Sequence, residues 1–165
     1  MIIQAQKLTP KAFVDFGQVL MGPGSGPERY NFVASFENHR KTAKPNLSFM
    51  RVAPTTQPVE VQILERHVYS NQAFIPMNDT CQLVAVCPRG FEGNPVVENM
   101  MAFVATPSQA VNYNAGTWHA PRTVIKGAGE FVMFRWDDGS DLDTEFLTLD
   151  TPVKICINPD FYNQR

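Results

Sequence analysis

From Leu47 to Asp150 the chain is a succession of short segments rich in Val, Ile, Phe and Thr, each closed by Pro, Gly or Asn/Asp. The segments are LSFMRVAP, VEVQILERH, QAFIPM, CQLVAVCP, NMMAFVAT, QAVNY, HAPRTVI, EFVMFRW and EFLTLD. Many short strands separated by turn residues predict an all-β sandwich or barrel. The 13 prolines suit numerous turns and blunted strand edges. One helix is predicted. Thr9 caps it, Pro10 sits in its first turn, KAFVDF continues it and Gly17 ends it.

The bulk properties narrow the function classes. A chain of 165 residues suits one domain with one core. Its 44% hydrophobic and 18% charged residues are an ordinary globular composition. A net charge of −2, with no Lys/Arg cluster, argues against nucleic-acid capture. The N-terminus lacks a charged start followed by an apolar run, and no stretch is apolar enough to span a bilayer, so a cytoplasmic protein is expected. Cys81, Cys87 and Cys156 lack metal-ligand spacing and read as buried thiols. MGPGSGPERY reads as a loop and lacks the P-loop pattern, and DDGSDLDTE reads as a solvated acidic loop without calcium-loop spacing.

The polar residues inside the strand-like region raise the functional question, because burying them is costly unless they are paired or bound. Side chains i and i+2 share a strand face. In VEVQILERH this groups Val59, Val61, Ile63, Glu65 and His67 as an inward row, with Arg66 on the other face. QAFIPM groups Gln72, Phe74 and Pro76. After a turn at Asn114-Ala115-Gly116, His119 shares a face with Thr117, Pro121 and Thr123, and Arg122 points the other way.

Glu65-Arg66-His67, then Gln72, then a lone His119 beyond a Gly turn, resemble a degenerate cupin pattern. Glu65 replaces the first His of H-x-H, and Gln72 replaces the Glu. The strings ERH, QAFIPM and VNYNAGTWHAPR, with LTPKAFVDFGQVL and LSFMRVAP before them, resemble the ureidoglycolate lyase (ureidoglycolate hydrolase) family. The resemblance fades after about Trp136, and this chain has His119-Ala120 where some members have two histidines. It implies a mainly β, cupin-like antiparallel β-barrel (double-stranded β-helix), a single domain over residues 1–165 and a homodimer. It also implies release of urea and glyoxylate from (S)-ureidoglycolate in allantoin, that is purine, breakdown. Barrel strands distant in sequence face one interior, which lets these residues converge.

That reaction removes a hydroxyl proton and protonates the ureido nitrogen, so it needs a base and an acid, or a metal that acidifies the hydroxyl. Glu65, His67 and His119 are the candidate catalytic residues. Glu65, His67, Gln72 and His119 are a candidate mixed N/O set for a divalent metal ion. No organic cofactor is expected. Gln72, Phe74, Asn112 and Tyr113 are candidate substrate contacts, with packing the plainer role for Phe74 and Trp118. Lys126 and backbone N–H groups are further candidates for the substrate carboxylate. Two other readings keep the barrel: a metal-dependent cupin isomerase or oxygenase acting on a small acid, and a non-catalytic small-acid-binding module.

Overall fold

The structure, a computed structural model, describes residues 1–22, 29 and 36–162. Its strands are β1 (Ile2–Gln4), β2 (Gln6–Lys7), β3 (Gly17–Met21), β4 (Lys44–Val52), β5 (Val59–His67), β6 (Gln72–Pro76), β7 (Cys81–Cys87), β8 (Met101–Ala105), β9 (Gln109–Tyr113), β10 (Trp118–His119), β11 (Thr123–Lys126), β12 (Gly129–Asp137) and β13 (Thr144–Cys156), with one helix, α1 (Pro10–Phe13). One sheet runs β1-β13-β5-β10-β7-β8-β2, with β11 also on β7, and the other runs β3-β9-β6-β12-β4. Pairing is antiparallel except for β1 on β13 and β2 on β8. The chain is thus mainly β, two largely antiparallel sheets sharing one core, as the run of short strands predicts.

The interior between the sheets is filled from both sides, by Val84, Val86, Phe103 and Val124 of the first sheet and by Phe74, Val111, Tyr113 and Phe131 of the second. The outer face of the first sheet is also covered. Leu83, Ala85, Cys87, Val104 and Trp118 pack there with Val153 and Ile155. Strand β7 therefore lies between two apolar layers and is buried at every position. A strand buried on both faces reads as a near-continuous apolar run, and CQLVAVC is one apart from Gln82. Each Val, Leu, Ile or Phe side chain taken from water in these layers contributes roughly 1.5–3 kcal/mol. The cysteines have no disulfide partner, with Cys81 and Cys87 buried and Cys156 half-buried. Burial, then the nearby Glu98 carboxylate, pushes the Cys87 thiol up to about 12. Among the described residues no helix is long and apolar enough to cross a membrane.

Local structure departs from simple alternation in places that matter for the site. Val59, Val61 and Leu64 all enter the outer cluster, so the two-residue period of β5 is offset near Gln62–Ile63. Its partner β13 shifts register there, between Thr148, opposite Ile63, and Val153, opposite Val61. Val59 and Val61 therefore do not share a face with Glu65 and His67 as alternation predicts. HAPRTVI is not one strand either. β10 ends at His119 and β11 begins at Thr123. Ala120 and Ile125 pack with the outer cluster while Val124 packs inside.

The N-terminal helix is a single turn, capped by Thr9 Oγ1, which accepts from the Ala12 N–H at 3.2 Å. Gly17 does not end it but opens β3, a strand that short apolar segments alone did not announce. Gly17 has φ +153°, and a Cβ there would lie 2.0 Å from the Asn112 carbonyl oxygen. β1 pairs in parallel with β13, which places both at one edge of the first sheet. Most of MGPGSGPERY lies outside the described residues, and its Met21 belongs to β3.

Gly17→Ala should destabilise the chain by more than about 1 kcal/mol, because both the backbone conformation and the Asn112 carbonyl oppose a Cβ. Urea denaturation of the variant and wild type measures this.

Candidate active site

The site forms where the two sheets meet at the C-terminal end of β5. His119 on β10 is the cross-strand partner of Glu65. The turn before β10 is fixed by the Gly116 N–H, which donates to the His67 carbonyl at 2.6 Å. Gly116 occupies φ +76°, the left-handed region where glycine is favoured. From the other sheet, Gln72 on β6 pairs with Tyr113 on β9 on one side and with Arg135 on β12 on the other. The ligand atoms of Glu65, His67 and His119 lie within 4.8 Å of one another. His67, His119 and Gln72 are buried, and Glu65 is partly exposed.

His119 is held on three sides. Its Nδ1 lies 2.9 Å from the Thr117 carbonyl oxygen, an acceptor, so Nδ1 carries the hydrogen. Its ring stacks on Tyr113 with centroids 4.0 Å apart and planes 11° apart. Its Nε2 faces two oxygens, Gln72 Oε1 at 3.1 Å and Glu65 Oε1 at 3.2 Å. In a neutral ring with hydrogen on Nδ1, that Nε2 is a lone pair facing two acceptors. Such an arrangement repels unless a cation lies among them, either a proton on Nε2 or a metal ion.

His67 presents a second unused lone pair. Its Nδ1 lies 3.3 Å from Thr144 Oγ1 and 3.9 Å from Asp143 Oδ2, while its Nε2 is buried without a hydrogen-bond partner. Burial, and then the neighbouring His119, lower its pKa to about 4 against the pull of Glu65 and Asp143, so near neutral pH the ring is uncharged. Burial alone would raise the Glu65 carboxyl. The hydrogen bond and electrostatic pull of His119, with smaller contributions from the neighbouring His67 and Arg122 side chains, outweigh burial and hold Glu65 below the ordinary carboxylate range.

This donor set fits a divalent metal ion. Two imidazole nitrogens, an ionised carboxylate and an amide oxygen converge, and the buried His67 Nε2, which has no hydrogen-bond partner, is available as a ligand. The partners of the other histidine nitrogens, Thr117 for one ring and Thr144 with Asp143 for the other, are the outer supports that metal-binding histidines use.

The remaining candidates separate. Gln72 and Tyr113 are at the site. Phe74 is buried beneath it, edge-on to Tyr113 at 6.3 Å. Asn112 is also fully buried, but its amide joins Asn71 at 2.7 Å and Gln18 at 3.1 Å. Lys126 is exposed and donates to the Tyr162 carbonyl at 2.8 Å. Arg66 turns away as alternation predicts. It pairs with Glu145 at 2.6 Å and lies 4.6 Å above the Trp118 ring.

Arg122 corrects the alternation argument. Its guanidinium lies 3.7 Å above the Phe74 ring and donates to Gln82 Oε1 and, at 3.5 Å, to the Tyr113 hydroxyl. The irregular residues between β10 and β11 break the strand's parity and let it face inward. The acidic segment is corrected too. Asp143 is only 4% exposed and accepts from Ser70 Oγ at 2.5 Å, the Tyr69 N–H at 2.7 Å and Arg40 Nη2 at 3.0 Å. Gln82 was legible as the lone polar residue of an apolar strand. Asp143 and Thr144 reach His67 only through the β13–β5 pairing, which no local pattern announces.

His67 links the site to stability. Its folded pKa lies below the unfolded value of about 6.5, so the unfolded chain binds the proton more readily. The stability this group contributes is present above about 6.5 and is lost as pH falls from there towards 4. The loss from His67 alone should be about 2 kcal/mol between pH 7 and pH 5. In chelator-treated protein, His67→Gln should flatten this part of the stability–pH profile, measured by urea denaturation.

Comparison with known proteins agrees with this geometry. The family model described as ureidoglycolate lyase matches residues 1–156. A ureidoglycolate lyase from Mesorhizobium japonicum is 35% identical, with 86% of this chain and 90% of the relative covered. One from Schizosaccharomyces pombe is 30% identical, covering 94% of this chain and 95% of the relative. A putative ureidoglycolate lyase from Agrobacterium fabrum is 30% identical over 94% of this chain and 96% of its own length. The match extends well past Trp136, into β13, and the chain belongs to the ureidoglycolate lyase family.

Proposed function

We propose that this chain is a ureidoglycolate lyase that splits (S)-ureidoglycolate into glyoxylate and urea at the Glu65, His67, Gln72 and His119 cluster. The observation that carries this reading is the convergence of two imidazoles and a carboxylate within 4.8 Å in a member of this family. In the reaction the hydroxyl O–H bond breaks and its electrons form the aldehyde C=O. The C–N bond breaks with its electron pair on the ureido nitrogen, which gains a proton and leaves in urea.

Glu65 suits the proton transfers. Its carboxyl is held ionised, so one oxygen can accept the hydroxyl proton and return it to the ureido nitrogen. His119, with Nε2 3.2 Å from Glu65 Oε1 and its ring fixed by Thr117 and Tyr113, sets the position of the carboxylate. Glu65, His67 and His119, with Gln72 Oε1, would hold a divalent ion, and such an ion would make the substrate hydroxyl easier to deprotonate. Thr144 and Asp143 orient His67 so that its Nε2 faces the site. Family resemblance supports a homodimer acting in the cytoplasm, in allantoin breakdown.

Purified protein given ureidoglycolate should release glyoxylate and urea in equal amounts without ammonia. Dialysis against chelator should remove about one divalent ion per chain, and His67→Ala should fail to retain it, both read by elemental analysis. Ammonia in place of urea would contradict the lyase assignment, and equal metal retention in His67→Ala would contradict this ligand set.

A further inference from the structure

The proposed substrate carries a carboxylate, and the cluster above supplies no cationic side chain dedicated to it. Arg40, Arg66 and Arg135 each have a carboxylate oxygen within 3.0 Å, from Asp138 and Asp143, Glu145 and Asp137 respectively. Arg122 differs: among the described residues no carboxylate lies within ion-pair distance of it. Its polar partners are two neutral groups, the Gln82 amide oxygen and the Tyr113 hydroxyl. Its Nε is buried with no hydrogen-bond partner. A planar cation with unused N–H groups beside a buried polar site is matched to a planar anion that accepts two hydrogen bonds.

The surroundings hold this guanidinium rigidly. Gln82 is fully buried on β7, and its own Nε2 donates to the Gln109 carbonyl at 3.2 Å. That bond orients the amide so that Oε1 receives Arg122. The guanidinium lies over Phe74 at 3.7 Å and within 5.9 Å of the Tyr113 ring centroid. Tyr113 in turn stacks on His119, so one aromatic ring separates Arg122 from the imidazole. Arg122 also lines a crevice of about 290 Å³ beside Gln62 and Ile63, where β5 runs past residues 120–123 without pairing to them. Ile63 is two residues before Glu65, and Arg122 is close enough to Glu65 to stabilise its charge.

We propose that Arg122 receives the carboxylate of ureidoglycolate, with Gln82, Phe74 and Tyr113 fixing the direction of its fork. This rests on the lyase reading and adds to it the group that orients the substrate, so that the hydroxyl faces Glu65. It also defines the ligand class as small 2-hydroxy or 2-oxo acids, with neutral amide analogues excluded.

The test compares wild type, Arg122→Met, Arg122→Lys and Gln82→Leu for ureidoglycolate kinetics, and for glyoxylate binding by calorimetry. Loss of a charge-assisted hydrogen-bonded pair should raise KM and the glyoxylate Kd of Arg122→Met together by roughly 10- to 100-fold. Arg122→Lys should recover part of this loss, and the melting temperature should stay close to wild type. Unchanged KM and glyoxylate Kd in Arg122→Met would overturn the proposal, even if kcat fell. If Arg122→Met does not fold, Gln82→Leu decides: a several-fold rise in both constants supports the proposal, and no rise overturns it. If wild type turns over no ureidoglycolate, the lyase reading fails separately and glyoxylate binding decides. Weaker binding in Arg122→Met than in wild type would then support an anion receptor, and equal or absent binding in both would overturn it.

Discussion

Everything at this site depends on His119 Nε2 facing two oxygen acceptors at once. With Nδ1 committed to the Thr117 carbonyl, the other nitrogen meets Glu65 and Gln72 at hydrogen-bond distance. Three electron-rich atoms so close together in a buried place need a shared cation. A proton or a divalent ion satisfies that need, and either one makes Glu65 an ionised carboxylate poised to exchange protons. The neighbouring His67, kept neutral by burial, offers its free Nε2 to the same point. The cluster is thus unbalanced by construction, and its chemistry follows from that imbalance.

The fold supplies the rigidity that such an arrangement requires. β10 is only two residues long, yet it is clamped between β5 and β7, and β7 is buried on both faces. Tyr113 closes the other side of His119 from the second sheet, fixed above Phe74 and Phe13. Asp143, though part of an acidic surface segment, ties Ser70, Tyr69 and Arg40 together and steadies the chain around His67. The apolar layers hold these polar groups at fixed distances and keep water from screening them.

Much of this was legible in the residues. The spacing of Glu65, His67, Gln72 and His119, read with the Gly116 turn, points to residues that the structure does bring together, and the strings around them point to the family that the comparisons show. The route was partly wrong. Val59 and Val61 do not continue the face of Glu65 and His67, because β13 carries extra residues and β5 shifts its alternation beside them. Strand alternation turns Arg122 away from His119, and alternation fails where residues 120–122 leave the strand. Asn112 was an attractive hydrogen-bonding candidate that the structure ties to Asn71 and Gln18. A period of two says where a side chain points only while the strand is regular, and the candidate site lies where regularity breaks.

The most direct measurement is the turnover of Glu65→Gln on ureidoglycolate, alongside its melting temperature and KM. The substitution keeps the shape of the side chain and its contact with His119 but removes the basic oxygen. The account predicts that kcat falls by at least about 100-fold, with KM and melting temperature near wild type. A kcat within twofold of wild type would place the reacting centre somewhere other than the His119–Glu65 pair.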